Sequence, residues 1–168
     1  MQGIYTQAAF EMKLIASPIQ DCGCSEQEIA QIDELWEGPP AAYLEFLRQI
    51  GRGVYGRFVG TDVFFDRCLL FKEFKSEMQA SGIEIPDDAV LVLSHQGYIA
   101  QYILKGHGDD PPVYEVVKGV GKTIKVADRF SQMILNTIYG VAGRPGHSIA
   151  FEPWRPPTQD GEPFFGRR

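Results

Sequence analysis

Residues 86–117, PDDAVLVLSHQGYIAQYILKGHGDDPPVYEVV, place two apolar runs on either side of His95-Gln96-Gly97, then an acidic glycine-rich loop, then a third run. Runs rich in β-branched and aromatic residues, bounded by turn residues, read as strands. In the second run Tyr98, Ala100, Tyr102 and Leu104 alternate with Ile99, Gln101 and Ile103, the two-residue period of a strand. Strands are therefore predicted over 89–94, 98–104 and 113–117, with a loop over 105–112. This segment commits the chain to a sheet.

The residues around it carry helical signals. Ser25-x-x-Glu28 is a capping box, and Ile29, Ile32 and Trp36 follow at helical spacing, giving a helix over 25–36 that Gly38 breaks. Pro39-Pro40 opens a second helix with Tyr43, Phe46, Leu47 and Ile50 as its apolar stripe and Gly51 as the residue after its end. Residues 54–59 and 61–65 read as short strands or an irregular hairpin. Asp66 is placed to cap a third helix over 67–81, with Leu70, Phe71, Phe74 and Met78 inward. Gly119-Val-Gly121 makes a turn, and a last helix over 127–139 carries Phe130, Ile134 and Ile138.

Helices, then adjacent strands, then a helix is an α+β order rather than βαβ alternation. The expected fold is a single α+β domain over 25–140, with a mixed, mostly antiparallel central sheet flanked by helices. Residues 1–24 form an N-terminal extension. Residues 141–168 form a proline-rich tail whose Phe151, Trp154, Phe164 and Phe165 predict that it packs on the domain.

The formal charge is −6, and residues 84–115 contribute −5 of it through six acids against Lys105 alone. Nucleic-acid binding needs clustered Lys and Arg for phosphate, so no direct nucleic-acid partner is expected. A localised acidic surface suits a basic partner instead. No apolar run reaches the roughly 18 residues of a membrane span. The N-terminus lacks the basic start and apolar core of a signal peptide, so the expected location is cytoplasmic. There the odd set Cys22, Cys24 and Cys68 predicts no disulfide.

Motifs that might carry chemistry read as structure. Gly119-Val-Gly-Lys-Thr123 resembles the end of a phosphate-binding loop, but the glycine required five residues before Gly121 is Val116. Cys22-Gly-Cys24 has no second close pair to complete a metal site. His95, His107 and His147 are each placed in loops, and no nucleophile stands in a recognisable context. His107 beside Asp109 and Asp110 is the one arrangement a hydrolase could use. No catalysis, cofactor or metal is expected.

Six features in fixed order carry a resemblance. They are the capped helix ending at Trp36, the Pro40-x-x-Tyr43-x-x-Phe46-Leu47 helix, the Pro86-Asp-Asp-Ala-Val strand entry, His95-Gln-Gly97-Tyr, Asp110-Pro-Pro-Val-Tyr114, and the Phe130 helix. Together they resemble the SUKH superfamily, the group related to fungal cell-wall assembly regulators, over roughly 25–139. Gly51-Arg-Gly53 stands where that family often has Asn-Gly-Gly. The resemblance implies an α+β fold, no catalytic motif, and for bacterial members an immunity protein that binds and neutralises a cognate secreted polymorphic toxin, often a nuclease. Charge position makes Asp87, Asp88, Asp109 and Asp110 the expected partner-binding residues. A regulatory or scaffolding module that binds a cellular protein is the alternative.

Overall fold

The computed structural model describes Gly3, Tyr5, residues 23–52, Phe58 and residues 61–139. The expectations for Cys22, His147, most of 1–24, residues 54–57 and 59–60, and the tail 141–168 lie outside the described residues. Among those described, five helices accompany a five-stranded sheet. In chain order the elements are α1 (Glu26–Trp36), α2 (Ala41–Ile50), β1 (Thr61–Asp62), α3 (Phe65–Cys68), α4 (Phe71–Ala80), β2 (Ala89–His95), β3 (Ile99–Leu104), β4 (Val113–Val117), β5 (Ile124–Ala127) and α5 (Phe130–Tyr139). No helix among them is long and apolar enough to cross a membrane.

The α+β expectation holds, and the sheet is antiparallel throughout, in the order β1-β2-β3-β4-β5. The β2–β3 connection is tight because Gln96 (φ 49°) and Gly97 (φ 72°) both take left-handed backbone, which matches strand twist in a hairpin. The Tyr98 N–H closes it on His95 O at 3.2 Å. His95 itself is not in a loop. It ends β2, is buried, and its Nδ1 lies 3.0 Å from Thr61 Oγ1 on β1.

α1 starts as the sequence requires. The Ser25 N–H donates to Glu28 Oε2 at 2.9 Å, and the Glu28 N–H returns to Ser25 Oγ. Burial of Ile29, Ile32 and Trp36 turns this face against α2. α2 buries Tyr43, Phe46, Leu47 and Ile50, and packs on α5 through Phe130. Tyr43 and Phe46 both meet the Phe130 ring edge-to-face, at 5.7 and 5.9 Å between centroids. Such pairs add about 0.5–1.5 kcal/mol each beyond the area they bury. Gly51 has ordinary helical backbone; what it supplies is space, since a Cβ there would sit 2.5 Å from Cys24 Sγ.

The single helix expected over 67–81 is two. α3 begins at Phe65 with Phe64 in the capping position, so Asp66 lies inside its first turn. The Leu70 N–H bonds back three residues to Arg67 O at 3.0 Å, a tightened turn that separates α3 from α4. Leu70, expected inward, is 48% exposed as a result, whereas Phe71 and Met78 are buried.

Candidate functional site

Antiparallel pairing brings the start of β2, the end of β3, the start of β4 and the end of β5 to one end of the sheet. Ala89 lies opposite Leu104, and Val113 opposite Ala127. The turn bearing Asp87 and Asp88 therefore lies at the same end as the 105–112 loop. The Lys105 N–H extends the ladder by donating to Asp88 O at 3.2 Å. All four acids singled out in the sequence are at this end.

They divide into two roles. Asp87, Asp88 and Asp109 are exposed, but Asp110 is half-buried and engaged. The Ser131 N–H donates to Asp110 Oδ1 at 2.9 Å and the Ser131 hydroxyl to Oδ2 at 2.6 Å. This is N-capping from a distant segment, satisfying a donor that the first turn of α5 leaves open. Next to it Pro111 O accepts from the Phe130 N–H at 2.9 Å, and Asp109 O accepts from the Ala42 N–H at 2.9 Å. The Asp109-Asp110-Pro111 backbone is thus tied to the N-termini of both α2 and α5. Asp110 marks the fold. Asp109 uses only its carbonyl for that purpose, and its side chain remains exposed.

A second group at this end is basic: Lys72 and Lys75 come from α4, outside the 84–115 segment, and Lys105 follows the end of β3. Lys75 is 8% exposed, and its Nζ donates to Asp87 O at 2.7 Å and Ala89 O at 2.9 Å. Lys72 Nζ donates to Leu35 O at 3.0 Å, and Lys105 Nζ to Trp36 O at 3.1 Å, both at the C-terminal end of α1. Carbonyls at that end carry the negative pole of the helix, so ammonium groups gather there. Burial lowers the Lys75 pKa, opposed by Asp87 and Asp88 and reinforced by Lys105 and Lys72. The sequence did hold one signal: Phe71, Lys75 and Met78 share a stripe at helical spacing, and a lysine within an apolar stripe is an anomaly. Trp36, Lys72, Lys75, Asp87 and Lys105 line a cavity of about 240 Å³.

A wider depression of about 560 Å³ is lined by Ile83, Ile85, Pro86, Tyr102 and Thr123. Tyr102 also stacks on Tyr114, with ring centroids 5.6 Å apart. His107 is exposed between Gly106 and Gly108. The Gly119–Gly121 segment is the β4–β5 connection, and Val116 is a buried strand residue opposite Ala100, as expected of a hairpin rather than a phosphate loop. Cys24 and Cys68 are buried free cysteines. Burial pushes their thiols up to about 11 and about 12, which holds them protonated at neutral pH. Among the described residues no three His, Cys, Asp or Glu side chains are grouped to hold a metal ion.

Comparison with known proteins matches this chain to no family model and to no curated protein.

Proposed function

We propose that this protein is a SUKH-like immunity protein: a non-enzymatic binder that neutralises a cognate secreted toxin inside the producing cell, in its cytoplasm, by occlusion. Support comes from the ordered motifs over 25–139, from their α+β arrangement, and above all from one feature of the site. Asp87, Asp88 and Asp109 are exposed at one end of the sheet, on backbone held by the β2–β3 ladder and by the N-terminus of α2. An acid-bearing surface on held backbone loses little conformational freedom when a partner docks. Its charge speeds encounter with a basic surface and competes with phosphate for the same Lys and Arg groups. A nuclease that binds nucleic-acid backbone offers such a surface.

The test uses the toxin encoded by the neighbouring reading frame. Triple charge reversal, Asp87→Lys, Asp88→Lys and Asp109→Lys, weakens its binding at least tenfold and flattens the dependence of affinity on salt. Unchanged affinity and an unchanged salt slope would move the binding surface elsewhere. A pull-down that recovers a cellular partner in a strain lacking the toxin would favour the scaffolding role instead.

A further inference from the structure

The cavity at the end of α1 gathers three ammonium groups that close no ion pair among the described residues. Lys72, Lys75 and Lys105 converge on it, and each ammonium carries three N–H donors. Among the described residues four of those nine donors are used, all by main-chain carbonyls: Leu35 O, Trp36 O, Asp87 O and Ala89 O. None of the three lysines has a carboxylate oxygen within 4.0 Å among those residues. Glu37 and Asp87 line the same cavity without closing an ion pair.

Trp36, 5% exposed, forms part of the cavity wall, with its indole Nε1 fully buried behind it. Lys75 Nζ lies 6.0 Å from the centroid of the same ring. Lysine ammonium groups can only donate. A ligand matched to them brings acceptors and negative charge, and needs no donor in return.

We propose that this cavity binds a small phosphate-type oxyanion, as the free ion or as a phosphomonoester, held between Lys72, Lys75 and Lys105. Three separate ammonium groups act as point charges, which suits a tetrahedral group offering several oxygens better than a planar carboxylate offering two. At roughly 30 Å³ per water the volume of about 240 Å³ equals about eight waters, room for a phosphoryl group and a small substituent. The anion also offsets the mutual repulsion of three like charges, one of them buried. The proposal does not rest on toxin binding, although Asp87 lines the cavity and also belongs to the surface assigned to the toxin.

The test is an NMR titration of the ¹⁵N-labelled full chain with inorganic phosphate at constant ionic strength, with chloride as the balancing ion. Trp154→Phe identifies the Trp36 indole cross-peak by elimination. A saturable shift of that cross-peak is expected, with affinity at least tenfold weaker for acetate and at least tenfold weaker in Lys72→Gln/Lys105→Gln. Should the double variant not fold, Lys72→Gln alone, at an exposed position, carries the comparison with at least a threefold loss. No saturable shift with phosphate, equal binding of acetate, or undiminished phosphate binding in the lysine variants would each overturn the site.

Discussion

Asp110 and Lys75 are two charged groups at the same end of one sheet, and they are satisfied in opposite ways. Both Asp110 oxygens accept from Ser131, so that carboxylate is a finished joint between the β3–β4 loop and α5. Lys75 meets two carbonyls yet lies beside two further ammonium groups, and among the described residues no carboxylate oxygen comes within 4.0 Å of the three, so that region is left open. The contrast separates charges that hold the fold from charges available to something else. Proximity at one sheet end does not make a shared surface; the count of met and unmet partners decides.

The largest effect is expected at the finished joint. Asp110→Ala should lower stability by about 2 kcal/mol, the upper end of the range for loss of an N-cap, because both bonds are charge-assisted. Urea denaturation measures it, and a loss under about 0.5 kcal/mol would erase the contrast. Lys75→Met should change stability by less than about 1 kcal/mol, because relief of a buried charge offsets two unmet carbonyls. A cost larger than that of Asp110→Ala would invert the comparison.

The next prediction uses pH. The folded pKa of Lys75 is lowered from 10.5, so the unfolded chain holds that proton more tightly. Stability then rises as pH climbs through the folded value and levels near 10.5. The wild type should gain on Lys75→Met across that window in paired denaturation curves, a subtraction that cancels the other titrating groups. A flat difference would mean that Lys75 is no more desolvated folded than unfolded. Smallest of all, Lys72→Gln/Lys105→Gln should alter stability by only about 0.5 kcal/mol, as for most surface changes, while removing the anion response. A large loss there would recast these lysines as caps of α1.

The positions of β2, β3 and β4 were readable because each rests on local pattern. β4 spans the expected residues, and β2 and β3 are each displaced by one residue at a single end. The capping box at Ser25 was equally local. The division of α3 from α4 was not, because Phe65, Phe71 and Met78 fit one helical stripe and only the tightened turn at Leu70 breaks it. At the candidate site the acids were visible as a charge run, but their roles depended on partners far along the chain. Asp110 accepts from Ser131 21 residues on, and Lys75 meets Asp87 only through its main-chain carbonyl, neither of which a charge run reveals. The lysine cluster was hidden for the same reason, dispersed over α4 and the end of β3.

The order of the sheet has a consequence for how the chain reaches this fold. From β2 to β5 every strand pairs with its neighbour in sequence, so the sheet can grow one hairpin at a time over short loops. Short loops close quickly and at little entropic cost, and local topology favours rapid folding. β1 is the exception, pairing with β2 only after α3 and α4 intervene, and α5 waits for the loop that receives Ser131. The meander from β2 to β5 is therefore the natural nucleus, and the joints at Asp110 and Thr61 are late closures whose loss should quicken unfolding more than it slows folding.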